Sequence, residues 1–244
     1  VPSRLFGIQK LFFFLWLTAG SLPLSARDNP HWLRYCAISP DGAVIAFSYK
    51  GQIYTVPVRG GAARQLTKDT AYHFMPVWSH DGRRIAFAGS RYGNFDVFVR
   101  SAEGGEPKRL TAHSADEYPY DFTKDDSSVL FGAVRLDAPA NRQYPSDALQ
   151  ELYRVPSRGG RVEQVLTTPA EDAHVSPSGR LMVYHDRKGR ENPWRKHQTS
   201  SIARDIWLFD PATGVHTKVT SFNGEDRDAV FASDTSIYYL SEAG

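Results

Sequence analysis

One unit of sequence is written four times along this chain, and a fifth copy covers only its first half. Each unit runs apolar strand, tight turn, apolar strand, loop, aromatic-rich strand, Gly-rich turn, and a short strand closing in Leu-Thr or Val-Thr. The first copy is Ala37-Ile38-Ser39-Pro40-Asp41-Gly42, Val44-Ile45-Ala46-Phe47, Ile53-Tyr54-Thr55-Val56, Gly60-Gly61 and Gln65-Leu66-Thr67. The second repeats it at Trp78-Ser79-His80-Asp81-Gly82, Ile85-Ala86-Phe87, Val97-Phe98-Val99, Gly104-Gly105 and Arg109-Leu110-Thr111. A period of about 40 residues with four strands per unit predicts β-propeller blades. The expected fold is therefore all-β, with four complete four-stranded antiparallel blades and the start of a fifth. The boundaries fall near 32–67, 73–111, 118–167, 173–220 and 228–244.

The spelling of the turns has a physical basis. In Ser39-Pro40-Asp41-Gly42, proline presets φ for a type I turn, and the glycine can take positive φ as the next strand begins. Ser176-Pro177-Ser178-Gly179 keeps the device. The third copy, Phe122-Thr123-Lys124-Asp125-Asp126, lacks both proline and glycine, which predicts a turn of different construction. Second strands such as Val129-Leu130-Phe131 and Leu181-Met182-Val183-Tyr184 are apolar at consecutive positions, as expected where neighbouring blades cover both faces of a sheet.

The first 26 residues stand apart from the repeat. Arg4 and Lys10 precede Leu11-Phe12-Phe13-Phe14-Leu15-Trp16-Leu17, then small residues and a cut after Ala26, although Leu24 is atypical for its position. This predicts a secretory signal peptide over 1–26, too short for a membrane span, with the propeller over 27–244 and export to a periplasm or beyond. Its removal takes two basic residues from a chain of formal charge +2, leaving a neutral one. Overall charge thus gives no reason to expect nucleic acid or an anionic membrane as partner. Cys36, the single cysteine, lies in the first apolar strand and reads as a buried, inert thiol.

Two units carry long insertions between their second and third strands, about Arg135–Gln150 and His185–Arg204, beyond the usual hairpin length of about 2–5 residues. Both should emerge on one face. The second is basic, with Arg187, Lys188, Arg190, Arg195, Lys196 and Arg204 against Asp186 and Glu191. Acidic pairs recur just before innermost strands: Asp116-Glu117, Glu171-Asp172 and Glu225-Asp226, the last followed by Arg227. They should ring the mouth of the central channel. Two roles fit them: converging carboxylates that recognise a cationic group such as a peptide amino terminus, or partners for loop backbone and the basic insertion. Asp96 and Asp205, at third-strand entries, are expected to satisfy backbone donors there.

No Gly-x-Ser-x-Gly, His-Glu-x-x-His, phosphate-binding loop or EF-hand pattern occurs. The histidines at 31, 73, 80, 113, 174, 185, 197 and 216 make no metal-ligand spacing and read as solvated or structural. No catalytic residue, cofactor or metal is expected in this chain.

Ser-Pro-Asp-Gly followed by Ile-Ala-Phe, Asp-Ile-Trp and a closing Leu-Thr resembles the WD-like repeat of TolB and of tricorn-type peptidase propellers. The stretch Thr199-Ser200-Ser201-Ile202-Ala203-Arg204-Asp205-Ile206-Trp207, with Gly224-Glu225-Asp226-Arg227, is similar to the N-terminal propeller of exported bacterial tricorn-like serine peptidases. The resemblance runs from about Pro30 to Gly244. It implies a non-catalytic segment that guides or gates peptides, with a second propeller, a PDZ domain and the serine peptidase domain expected beyond it in the same polypeptide. The alternatives are a TolB-like propeller that docks a protein partner, and the propeller of a prolyl-oligopeptidase-type enzyme. A two-stranded final sheet exposing Tyr238, Tyr239 and Leu240 should also make the isolated chain marginal or self-associating.

Overall fold

The computed structural model describes residues 32–135, 149–189 and 199–243, and every regular element among them is a β-strand. The first sheet is β1 (Arg34–Ile38), β2 (Val44–Tyr49), β3 (Gln52–Pro57) and β4 (Arg64–Gln65). The second is β5 (His73–Trp78), β6 (Arg84–Gly89), β7 (Asp96–Ser101) and β8 (Gly104–Arg109). The third is β9 (Glu117–Phe122), β10 (Ser128–Ala133), β11 (Glu151–Pro156) and β12 (Glu163–Leu166). The fourth is β13 (Ala170–Val175), β14 (Met182–Asp186), β15 (Ile206–Asp210) and β16 (Val215–Lys218), and β17 (Asp226–Ser233) pairs with β18 (Ser236–Ser241) alone. Each sheet is an antiparallel meander in chain order. The first strands β1, β5, β9, β13 and β17 pack one against the next, so they form the innermost layer. The expected propeller of four four-stranded blades and a two-stranded fifth sheet is what the chain forms.

A hydroxyl opens each turn because it has two bonds to make. Ser39 Oγ donates to Asp41 Oδ1 (2.5 Å) and accepts the Val44 N–H (2.9 Å). Ser79 and Thr123 repeat the pair with Asp81 and Asp125. The third turn is a correction to the sequence reading. Asp126 N–H bonds the Thr123 carbonyl as Gly42 bonds Ser39, and Asp126 takes the glycine's left-handed conformation at φ 57°. Asp tolerates that region better than most residues. Its carboxylate then accepts the N–H groups of His80 (2.7 Å) and Asp81 (2.9 Å), stitching the third blade to the turn of the second. The closing threonine is equally specific: Thr67, Thr111 and Thr220 accept the N–H of Ile53, Val97 and Ile206, at 2.9, 2.9 and 3.1 Å.

The core lies between blades. On β6, Ile85 and Phe87 face the first blade while Ala86 faces the third. On β10, Val129 and Phe131 pack against Val97 and Val99, while Leu130 turns toward Met182 and Tyr184. Consecutive apolar residues on β6 and β10 are thus all buried, each worth about 1.5–3 kcal/mol for the larger side chains. Cys36 is a second correction: it is exposed, because β1 has no blade over its outer side among the described residues. Tyr238 and Leu240 on β18 are likewise 72% and 56% exposed.

Candidate functional site

The innermost strands from the second blade on stand in register, since equivalent positions touch: Phe74 meets Tyr118 (5.8 Å between ring centres) and His174 meets Asp121, while Tyr35 of the first blade meets Phe74 (5.2 Å) one position out of step. Every innermost strand carries the same bulge near its start, where two residues oppose one: Tyr35-Cys36, Met75-Pro76, Pro119-Tyr120, Asp172-Ala173 and Asp228-Ala229. The first bulge residue has positive φ at Tyr35, Met75, Asp172 and Asp228 (52–55°). A bulge re-aims side chains, and here it does so at one end of adjacent strands.

That end has two halves. Over the first three blades Tyr35, Tyr72, Phe74, Phe95 and Tyr118 form a continuous edge-to-face cluster, with Phe74 and Phe95 4.8 Å apart. Asp116 sits on it, accepting the Phe95 N–H (2.9 Å) and the Tyr118 hydroxyl (3.3 Å). Over the fourth and fifth blades the same positions are charged. Arg187 Nη1 donates to both oxygens of Glu171 (3.1 and 3.2 Å), and Arg204 pairs with Glu225 and approaches Glu171 (3.7 Å). Burial opposes the charge on Glu171, but His185, Arg187 and Arg204 outweigh it and hold its pKa below the ordinary value. Asp172 is held low in the same way by His174, His185 and Arg227.

His174 lies between Asp172 (3.3 Å) and Asp121 (3.7 Å). Burial disfavours its proton, yet the two carboxylates prevail and raise its pKa to about 10, so it is a fixed cation at neutral pH. Glu117 is fully buried, and that burial pushes its pKa up to about 7; Arg135 Nε stands 3.2 Å away without the alignment of a hydrogen bond. Asp226 is buried with neither carboxylate oxygen hydrogen-bonded. Arg227 pairs with Asp228 (2.7 Å).

The seven residues singled out from sequence, Asp116, Glu117, Glu171, Asp172, Glu225, Asp226 and Arg227, all lie at or beside these strand starts. Sequence reasoning missed the aromatic half, and it missed His174, His185 and Asp228. Asp172, His185 and Asp228 bring ligand-type atoms within 4.8 Å of one another, a grouping no linear spacing announces. Aligning the five repeats would have found His174 and Asp121, which share one position. Asp96 and Asp205 differ from expectation: Asp96 is salt-bridged to Arg109 (2.8 Å), and Asp205 to Lys188 (2.5 Å) and Lys218 (2.9 Å). Closing threonines serve the backbone donors instead. Residues 1–31, where the signal peptide is expected, and Arg190, Arg195 and Lys196 of the basic insertion lie outside the described residues.

Tandem four-stranded blades with their first strands innermost place the chain in the β-propeller class. The family model for the tricorn protease N-terminal beta propeller domain matches residues 30–244, and the chain belongs to that family. It is 26% identical over 179 residues to Tricorn protease homolog 1 of Streptomyces coelicolor, covering 73% of this chain and 16% of that one. The crystal structure of the tricorn protease superposes with a TM-score of 0.69 at 20% identity, over 88% of this chain and 20% of that chain. A putative TolB from Agrobacterium tumefaciens does so at 0.59 and 24%, over 80% and 71%. The chain spans less than half the length of the first curated relatives it matches. Among the described residues no helix is long and apolar enough to cross a membrane.

Proposed function

We propose that this propeller is a non-catalytic, peptide-handling segment of an exported tricorn-like serine peptidase, which receives peptides at the starts of its innermost strands and guides them toward a peptidase domain elsewhere in the polypeptide. One observation carries the reading: a continuous aromatic face and a carboxylate-rich face meet on adjacent inner strands. An amino terminus with an apolar side chain needs both, a counter-charge and an aromatic surface. Asp116, Asp172 and Asp228 supply carboxylates at these strand starts, with Glu117, Glu171, Glu225, Asp226 and Arg227 setting the field around them. The leader-like segment and the family resemblance support an exported location.

Fluorescence anisotropy with a labelled peptide tests this, comparing a free amino terminus with its acetylated form. Acetylation should weaken binding about tenfold, the worth of one charge-assisted contact, and Asp228→Asn should erase most of that difference. Equal affinity for the two peptides would remove the amino-terminus reading. Binding of a folded protein but of neither peptide would favour the TolB-like docking alternative.

A further inference from the structure

A cleft of about 530 Å³ opens between the first and second blades. Its wall joins the segment around Leu66 to β7 and β8, and its charged lining is Arg64, Lys68, Arg91 and Arg100 against Asp69, Glu103 and Glu106. Arg100, on β7, is only 7% exposed. Its Nη1 donates to the Leu66 carbonyl, but Nε has no acceptor and is shielded from solvent. Among the described residues no carboxylate forms a salt bridge with it. The neighbouring groups are already committed: Arg91 pairs with Asp69, and Arg64 donates to the carbonyls of Ala102 (2.6 Å) and Glu103 (3.0 Å). Burial and the like charge of Arg64 both act against the Arg100 cation, with Glu106 as partial relief.

A guanidinium does not shed its proton in a protein, so a buried one calls for a counter-ion. Nε is closed off from solvent, so the cleft reaches the guanidinium at Nη2, which can give an oxyanion one charge-assisted hydrogen bond. Beside it Gly104 has φ +123°, and a Cβ there would stand 3.6 Å from Nη2, so glycine leaves that flank open. We propose that this cleft binds a small oxyanion, a carboxylate or a phosphate group, on Nη2 of Arg100, with Lys68 and Arg91 at its rim. The site is independent of the peptide-handling reading and can stand or fall separately.

Titration of the chain with sodium phosphate and with sodium acetate, followed calorimetrically and by thermal shift against sodium chloride of equal ionic strength, tests the assignment. Saturable binding of either oxyanion that chloride does not mimic is expected, and the tighter of the two identifies the source as phosphate or carboxylate. Arg100→Gln should weaken it about tenfold, the loss of a charge-assisted contact. Lys68 is exposed and its replacement leaves packing intact, so Lys68→Ala, expected to weaken binding about threefold, decides the matter should Arg100→Gln fail to fold. Chloride acting as well as phosphate and acetate, or affinities unchanged in the folded variants, would overturn the proposal.

Discussion

Replacing His174 by glutamine removes the cation that joins the third and fourth blades at the inner strands. In the folded chain its pKa is raised from 6.5 to about 10. At 1.36 kcal/mol per pH unit that difference has a ceiling of about 5 kcal/mol. The side chain is 24% exposed, so solvent screens part of it, and about 2–3 kcal/mol is the expected loss at pH 6–7. Because the folded pKa lies above the unfolded one, the contribution is fully present below about pH 6.5. It declines as pH rises and is gone once pH passes about 10. Urea unfolding followed by tryptophan fluorescence, at pH 6, 8 and 10, measures it as wild type minus His174→Gln, which cancels the lysines and tyrosines titrating in both proteins. The gap should be widest at pH 6 and close by pH 10. A gap that stays constant across this range would refute the charged-histidine argument, leaving only packing.

Three further outcomes follow from single positions. Burial raises the Glu117 pKa to about 7, so the folded state is penalised for its charge as pH climbs from 4.5 through 7; Glu117→Gln should stabilise by about 1–3 kcal/mol at pH 8 and by almost nothing at pH 4, read from urea midpoints. Asp126→Gly relieves a left-handed aspartate but deletes the acceptor for two N–H groups of the neighbouring turn. A net loss of about 1 kcal/mol is expected, with faster amide exchange at His80 and Asp81. Gly132→Ala would drive a methyl into the Tyr120 hydroxyl, which is buried and bonded to Gln150, so melting should report a loss of about 1–3 kcal/mol that Tyr120→Phe partly relieves.

How much was legible in the sequence depended on whether a residue acts within its own repeat. Ser39, Ser79 and Thr123 bond atoms five residues away, and Thr67, Thr111 and Thr220 bond atoms fourteen residues away. The first recurs in all four complete units and the second in three of them, so strands, turns and the two-faced packing of β6 and β10 could be inferred from spelling alone. Asp126 could not be, because the partners that stabilise its φ lie 45 and 46 residues upstream in another blade. Cys36 failed for the same kind of reason. Its strand looks like every other first strand, and only the arrangement of neighbouring sheets decides which side is covered.

The candidate site shows why this scaffold conceals function from a linear reading. The bulge near the start of each innermost strand is constant in geometry, yet its first residue is Tyr35, Met75, Pro119, Asp172 or Asp228. Proline cannot adopt positive φ, so the third blade makes the bulge with a negative φ, and the other four make it in the left-handed conformation without glycine. A non-glycine residue in that conformation costs about 1–2 kcal/mol, and four blades accept it where glycine would relieve it. The backbone rule is therefore fixed by the fold, while the side chain at that position is free to vary from blade to blade. Variation at this position and at the one before it, joined by Tyr72 and Phe95 just outside the strands, gives the strand starts an aromatic half and a charged half. Asymmetry of that kind is what distinguishes a surface that can orient a peptide from one that merely closes a propeller.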